Sequence, residues 1–341
     1  MDIEFHYWMT GIIAKEAGFS EQDAATIAYS SEFVDENDVC LTIEDNTTGK
    51  KYYNFISQTM NILKPKDKLM QIYPIFHFVP GEPQAESARR RDGKMHLLNT
   101  TPDNELANDM MSEAFKSTED MRLYRIGIAT HTYVDTWAHQ NFVGWYDNFN
   151  AVGTNILPNI GHADGKHHPD WPGHRWDDER LVNHEINNNL RFLSAAKRLF
   201  EHYCDHLEAQ GAYKVGSRPQ WSALENKLCV AMGPVTSGDS NPGKDARIAR
   251  YRDMFTSLPK FDEETWFDDA IKTVIRGRED SHEGFLSKLT IFEDKYYWRD
   301  DRIREDTNWF RFQEAIKAHE RLALNKLAPI FKQLDVDIHN V

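Results

Sequence analysis

The chain has 341 residues, 40% hydrophobic and 12% aromatic, a composition that excludes a disordered polymer and allows a large buried core. Its formal charge of −14 at pH 7 lacks the basic footprint of duplex-binding proteins. Nucleic-acid binding is thereby disfavoured rather than excluded, because bound cations can dominate the field at a site on an acidic protein.

In chain order, residues 4–17 have helical periodicity ended by Gly18, and Ser20 to Asp23 resembles a capping box opening a second helix to about Asp35. Lys51–Gln58 and Met70–Val79 are aromatic and β-branched enough for strands or extended segments, the second closing on a Pro-Gly turn. Arg89 to Arg91 reads as a solvated turn. Helices are predicted from Thr101 to Lys116, Glu119 to Phe142, Asp177 to about Leu207, and Trp309 to Leu334. Residues 150–176 form a long Gly-, Pro-, Asn- and His-rich loop, a length that usually serves function in a compact domain. The expected fold is mainly α: a compact multi-helix domain with a few short strands and that His-rich loop. Residues 1–240 read as a metal-binding helical part, and 241–341 as a helical extension packed on it or continuous with it as one domain.

The N-terminal run MDIEFHYWMTGIIAKEAGF has no basic region ahead of an apolar one, so it is not a secretory signal. No window is apolar enough to span a bilayer, and the three cysteines are odd in number and widely spaced. A cytoplasmic location is the default expectation, with export by another route left open.

Seven of the fifteen histidines fall between His131 and His184. In the segment HTYVDTWAH, His131, Asp135 and His139 recur every four residues on an otherwise apolar helix, so each neighbouring pair can grip one ion. The two histidines are about 12 Å apart along the axis at 1.5 Å per residue, too far for one metal. Two metals with Asp135 between them fit the spacing, since paired catalytic cations sit about 3.5–4 Å apart. Further ligands are sought from His6 among aromatics, Asp35 at the end of the second helix, His77 in Ile-Phe-His-Phe-Val, and the loop residues His162, Asp164 and His167. His174 and Asp178 straddle an expected helix start, where capping is the better reading. There is no HExxH, phosphate loop, nucleophile elbow or paired C-x-x-C.

The order of an early His, an Asp near residue 35, a His in an aromatic segment, and then H-x-x-x-D with a later His is similar to the ligand order of zinc-dependent phospholipases C and related single-strand nucleases. More closely, the FHYW opening, AGFS, the Phe-His-Phe-Val-Pro-Gly stretch, His-Thr-x-x-Asp-Thr-x-x-His, and Gly-His-Ala-Asp with Pro-Asp-Trp-Pro resemble an uncharacterised bacterial family known only as a domain of unknown function. The first resemblance implies that His6, Asp35, His77, His131, Asp135 and His139 are zinc ligands. It makes Asp35 a general base as well, with His162, Asp164 and His167 standing in for the third-site ligands.

The expected function is a metal-dependent hydrolase with two or three zinc ions, or another divalent cation, acting on a small-molecule or lipid phosphodiester such as a phospholipid. The alternatives are a non-catalytic binding protein with a structural metal site and a nuclease-type effector.

Overall fold

The computed structural model describes residues 1–59, 69–152, 161–276 and 293–340. Among the described residues there are ten α-helices and two small sheets, so the helical expectation holds in outline while the molecule is not all-α.

The chain enters through a π-helical turn, Glu4–Met9, that runs into α1, Thr10–Ala17. Thr10 closes the wide turn onto the Phe5 carbonyl through both its N–H and its hydroxyl. Such single π turns cluster at functional sites, and this one carries His6. Gly18 ends α1 at φ +118°, and the Ser20 hydroxyl accepts from Asp23 N–H at 3.1 Å to open α2, Glu21–Glu36. After β1, Thr42–Glu44, and β2, Lys51–Tyr53, the segment expected as a second strand instead forms a short helix, α3, Tyr73–Phe76. Pro74 in its first turn presets the helical φ, and this local preference overrides the aromatic, strand-like composition.

Helix α4, Glu105–Phe115, starts at an Asn104 cap rather than at Thr101, because Asp103 sits at φ +55°. Helix α5, Glu119–Ala138, stops four residues short of the expected end. Half-buried Arg191 accounts for the stop: its guanidinium donates to the carbonyls of Trp137 and Ala138, the latter at 2.7 Å. The long helix expected from Asp177 is shorter, α6 running over Asn188–Ala209 from an Asn187 cap. Before it comes a hairpin of β3, Arg175–Asp177, and β4, Glu185–Asn187, which pairs Trp176 with Ile186. Asp178 therefore caps no helix; it binds Arg180 at 2.6 Å inside the hairpin. Arg90 is no solvated turn residue either, being buried with its guanidinium over the Phe149 ring and donating to the Phe149 carbonyl at 2.8 Å.

The last third holds α7, Trp221–Met232, α8, Lys244–Met254, α9, Thr265–Ala270, β5, Ile271–Arg276, β6, Glu293–Trp298, and α10, Asn308–Lys332. The strands here were not anticipated. Strand β6 pairs antiparallel with β5 and parallel with β1, giving a sheet ordered β2-β1-β6-β5. Its aromatic residues Tyr52 and Trp298 pack against Trp309 at the start of α10. One continuous core runs from Phe5 and Ile12 through Ile128 and Val134 to Ile316 and Leu327. Among the described residues no helix is long and apolar enough to cross a membrane.

Candidate metal centre

Helix α5 lies against α2 so closely that a Cβ at Gly127 would come within 2.4 Å of Ser30 Cβ and 2.6 Å of the Ile27 carbonyl. This approach places His131 and Asp135 of α5 beside Asp35 at the end of α2. The π turn delivers His6 from one side, stacked on His131 with ring centroids 3.8 Å apart, and the end of α3 delivers His77 from the other.

Asp135 is the hub, with its side chain 1% exposed. Its Oδ1 lies 3.1 Å from His6 Nε2, and its Oδ2 lies 3.4 Å from His77 Nδ1, 3.3 Å from His131 Nε2 and 3.4 Å from His139 Nδ1. The amino nitrogen of Met1 is buried against the same carboxylate. Asp35 Oδ1 sits 3.7 Å from His77 Nδ1 and 3.8 Å from His131 Nε2. A second cluster adjoins the first. His139, which terminates α5, points Nε2 at Asp170 Oδ1 at 3.4 Å, and His162 points Nε2 at Asp170 Oδ2, also at 3.4 Å.

Hydrogen bonds fix which ring nitrogens are free. His131 Nδ1 is 2.8 Å from the Ser31 carbonyl, His77 Nε2 is 2.9 Å from the Ser57 carbonyl, His139 Nδ1 is 2.7 Å from the His77 carbonyl, and His162 Nδ1 is 2.7 Å from the Lys166 carbonyl. A carbonyl only accepts, so each of these nitrogens carries the proton and donates it. In the neutral ring the opposite nitrogen is then a lone pair facing the site, the arrangement by which outer hydrogen bonds orient histidine ligands. His77 Nδ1 and His131 Nε2 meet at 3.1 Å. Two lone pairs at that distance repel unless a positive charge, a proton or a metal ion, lies with them.

The electrostatics agree. Burial opposes ionisation of Asp135, yet its polar neighbours, His139, the Met1 amine, His131 and His6, outweigh it and hold the carboxyl well below the usual range. Asp170 is likewise depressed against its burial, chiefly by His162 and the Met1 amine. Burial pushes His6 down to about 3, which keeps its imidazole neutral. Both nitrogens of His6, Oδ2 of Asp135 and Oδ1 of Asp170 are buried without any hydrogen bond. Buried polar atoms are normally satisfied, so orphans concentrated at one point fit a group that takes electron pairs. Three sets hold ligand atoms within 4.8 Å of one another: His6, Asp35 and His131; His77, His131 and Asp135; and His139, His162 and Asp170.

Eight of the nine sequence candidates can be placed. His6, Asp35, His77, His131, Asp135, His139 and His162 converge on the two clusters. His167 does not; it is exposed, stacks on Trp171 and belongs to no ligand set among the described residues. The Asp164 side chain lies outside the described residues. Asp170 takes the place expected of those two, and the sequence reading missed it. It sits in the loop segment Pro169-Asp170-Trp171-Pro172, with no helical period linking it to His162. The loop is tied down from α6 instead, Asn188 Nδ2 donating to the carbonyls of His168 at 2.7 Å and Trp171 at 2.9 Å. An acid flanked by two prolines was the available signal, and it indicates rigidity without indicating direction.

A model of a family of unknown function, DUF6765, matches residues 1–327. The chain belongs to DUF6765. No curated protein and no solved structure matches it. Membership of DUF6765 thus accounts for the closer of the two resemblances, whereas the likeness to the phospholipase C superfamily gains no support from these comparisons.

Proposed function

We propose that this protein is a metal-dependent hydrolase of phosphodiesters, with phospholipid as the leading substrate class. The observation that carries the reading is the set of convergent ligand atoms described above, which opens onto a cavity of about 730 Å³. A purely structural zinc site is normally closed by four protein ligands, and an adjoining cavity of that size argues instead for a site that admits a substrate. The ligand atoms are imidazole nitrogen and carboxylate oxygen without thiolate, a set that suits zinc. His77, His131, Asp135 and Asp35 would hold one ion, and His139, His162 and Asp170 another, with His6 placed for a third beside Asp135.

The cavity is lined by Asp2, Glu32, Asp35, Glu36, Asp135 and Asp170, against which Lys244 is already engaged with Asp2 at 3.0 Å. Such a lining repels a phosphodiester unless cations invert its field. Bound divalent ions would supply that inversion and would lower the pKa of a water toward neutrality. Asp35 is the carboxylate placed to accept that water's proton, because its side chain is 29% exposed while Asp135 is 1% exposed. Ile3, Tyr73, Phe78 and Trp171 give the rim apolar surface for the non-reacting part of a substrate.

The test is metal analysis by mass spectrometry of the protein and of His131→Ala and Asp135→Ala, with assays on phospholipid micelles, dinucleoside phosphates and bis(4-nitrophenyl) phosphate. At least two zinc ions per chain, lost in both variants together with phosphodiester cleavage, are expected. Protein prepared without chelator that binds no stoichiometric metal would overturn the reading.

A further inference from the structure

Asp2, Glu32 and Glu36 face the cavity and are used by neither cluster, and of the three Glu32 is the buried one. Glu32 lies one turn before Asp35 on α2, so both project from the same face of the helix. It lines the cavity, is 5% exposed, and its Oε2 makes no hydrogen bond. It belongs to none of the three ligand sets and to no ion pair among the described residues.

The charges around Glu32 come from every neighbouring element. Asp35 and Glu36 flank it on α2, Asp2 and the Met1 amine approach from the chain start, Tyr7 from the π turn, and Lys244 from α8. The positive members are already committed. Lys244 binds Asp2 and the Met1 amine binds Asp135, while cations held by the two clusters would be matched to Asp35, Asp135 and Asp170. Among the described residues, Glu32 is left as the one buried carboxyl on this wall that no ion pair matches. Burial first, and then the charges of Asp35 and Asp2, hold its pKa well above the ordinary value. A carboxylic acid that keeps its proton at neutral pH is the device other hydrolytic sites use to donate it.

We propose that Glu32 is the proton donor of the site, delivering its proton to the leaving oxygen of the phosphodiester. The inference rests on the hydrolase reading above. In the step, the oxygen of a water molecule bonds to phosphorus and the P–O bond to the leaving group breaks, its electron pair staying on that oxygen. The leaving oxygen takes the Glu32 proton, the water's proton passes to Asp35, and solvent exchange returns one proton from Asp35 to Glu32. One water is consumed and charge balances.

The test is Glu32→Gln, an uncharged substitution of the same shape, assayed on two classes of ester in the same preparation. An alkyl leaving group needs protonation and a nitrophenyl group does not, so the variant should slow cleavage of phospholipid or dinucleoside phosphate by about 10²–10⁴-fold and bis(4-nitrophenyl) phosphate far less. Equal losses on both classes overturn the proton-donor role while leaving the hydrolase reading intact. Cleavage of the aryl ester alone by the unchanged protein overturns it too, since a working acid would handle an alkyl leaving group. An unchanged protein inactive on every ester overturns the hydrolase reading itself.

Two measurements do not depend on turnover. Glu32→Gln should retain the metal content of the unchanged protein, and loss of an ion would make Glu32 a ligand instead. A pKa raised by folding contributes stability at low pH that is lost as pH rises from the unfolded value near 4.3. The melting temperature of Glu32→Gln relative to the unchanged protein should therefore climb with pH above that value, and a flat difference would overturn the protonated state.

Discussion

At the scale of single residues, the site is a problem in proton placement. Four backbone carbonyls hold four imidazole protons outward, and Asp170 faces the inward nitrogens of His139 and His162. Asp170→Asn removes the negative charge from the outer cluster alone. It is expected to lower the metal content by about one ion while the ions near Asp135 stay, a difference that mass spectrometry of the native protein would resolve. His319 presents a different case. It is fully buried against Phe76 outside the ligand sets, and burial, followed by the charge of Arg125, lowers its pKa from 6.5 to about 3. Between those values the unfolded chain binds a proton that the folded one refuses, so stability is present above 6.5 and is lost as pH falls toward 3. His319→Gln should flatten the acid limb of a stability curve from urea unfolding by up to about 1.4 kcal/mol per pH unit in that window.

Among the elements, the decisive contact is α2 on α5. The HTYVDTWAH spacing placed three candidate ligands on one face of α5, and the capping box located α2, but the close pairing of the two depends on Gly127, where any Cβ would force its neighbours to shift. Gly127→Ala would push Ser30 and the Ile27 carbonyl away by several tenths of an ångström. Overpacking of this kind costs about 1–3 kcal/mol, and because the Ser31 carbonyl orients His131, weaker metal retention should accompany the lower denaturation midpoint. An unchanged midpoint with full metal content would show that the interface has slack. The element missed altogether is the strand pair of the C-terminal third. Strand β6 has its parallel partner β1 some 250 positions earlier in the numbering, and no local pattern records so distant a pairing.

For the whole molecule, the start of the chain is fastened to its C-terminal third by a buried fork. Arg247 Nε and Nη2 each donate to a Glu4 oxygen at 2.8 Å, and Lys244 holds Asp2. This clamp fixes the π turn and hence His6. Removing one partner leaves the other charge buried, so Arg247→Met should cost about 3–5 kcal/mol, whereas the double variant Glu4→Met/Arg247→Met should recover much of it. Chemical denaturation of the three proteins checks this, and an additive loss would mean that the two side chains act separately.

The sequence by itself determined most of the helices and seven of the ligand-set residues. Helical period, caps and the i, i+4 spacing of His131, Asp135 and His139 are local properties, written within a few turns of chain. Three-dimensional packing alone decided that His77 follows a helix rather than lying in a strand, that Asp170 rather than His167 completes the outer cluster, and that Glu32 faces the same cavity. Those outcomes depend on which surfaces meet across distant parts of the chain, and burial, charge balance and the outward locking of imidazole protons exist only once they have met.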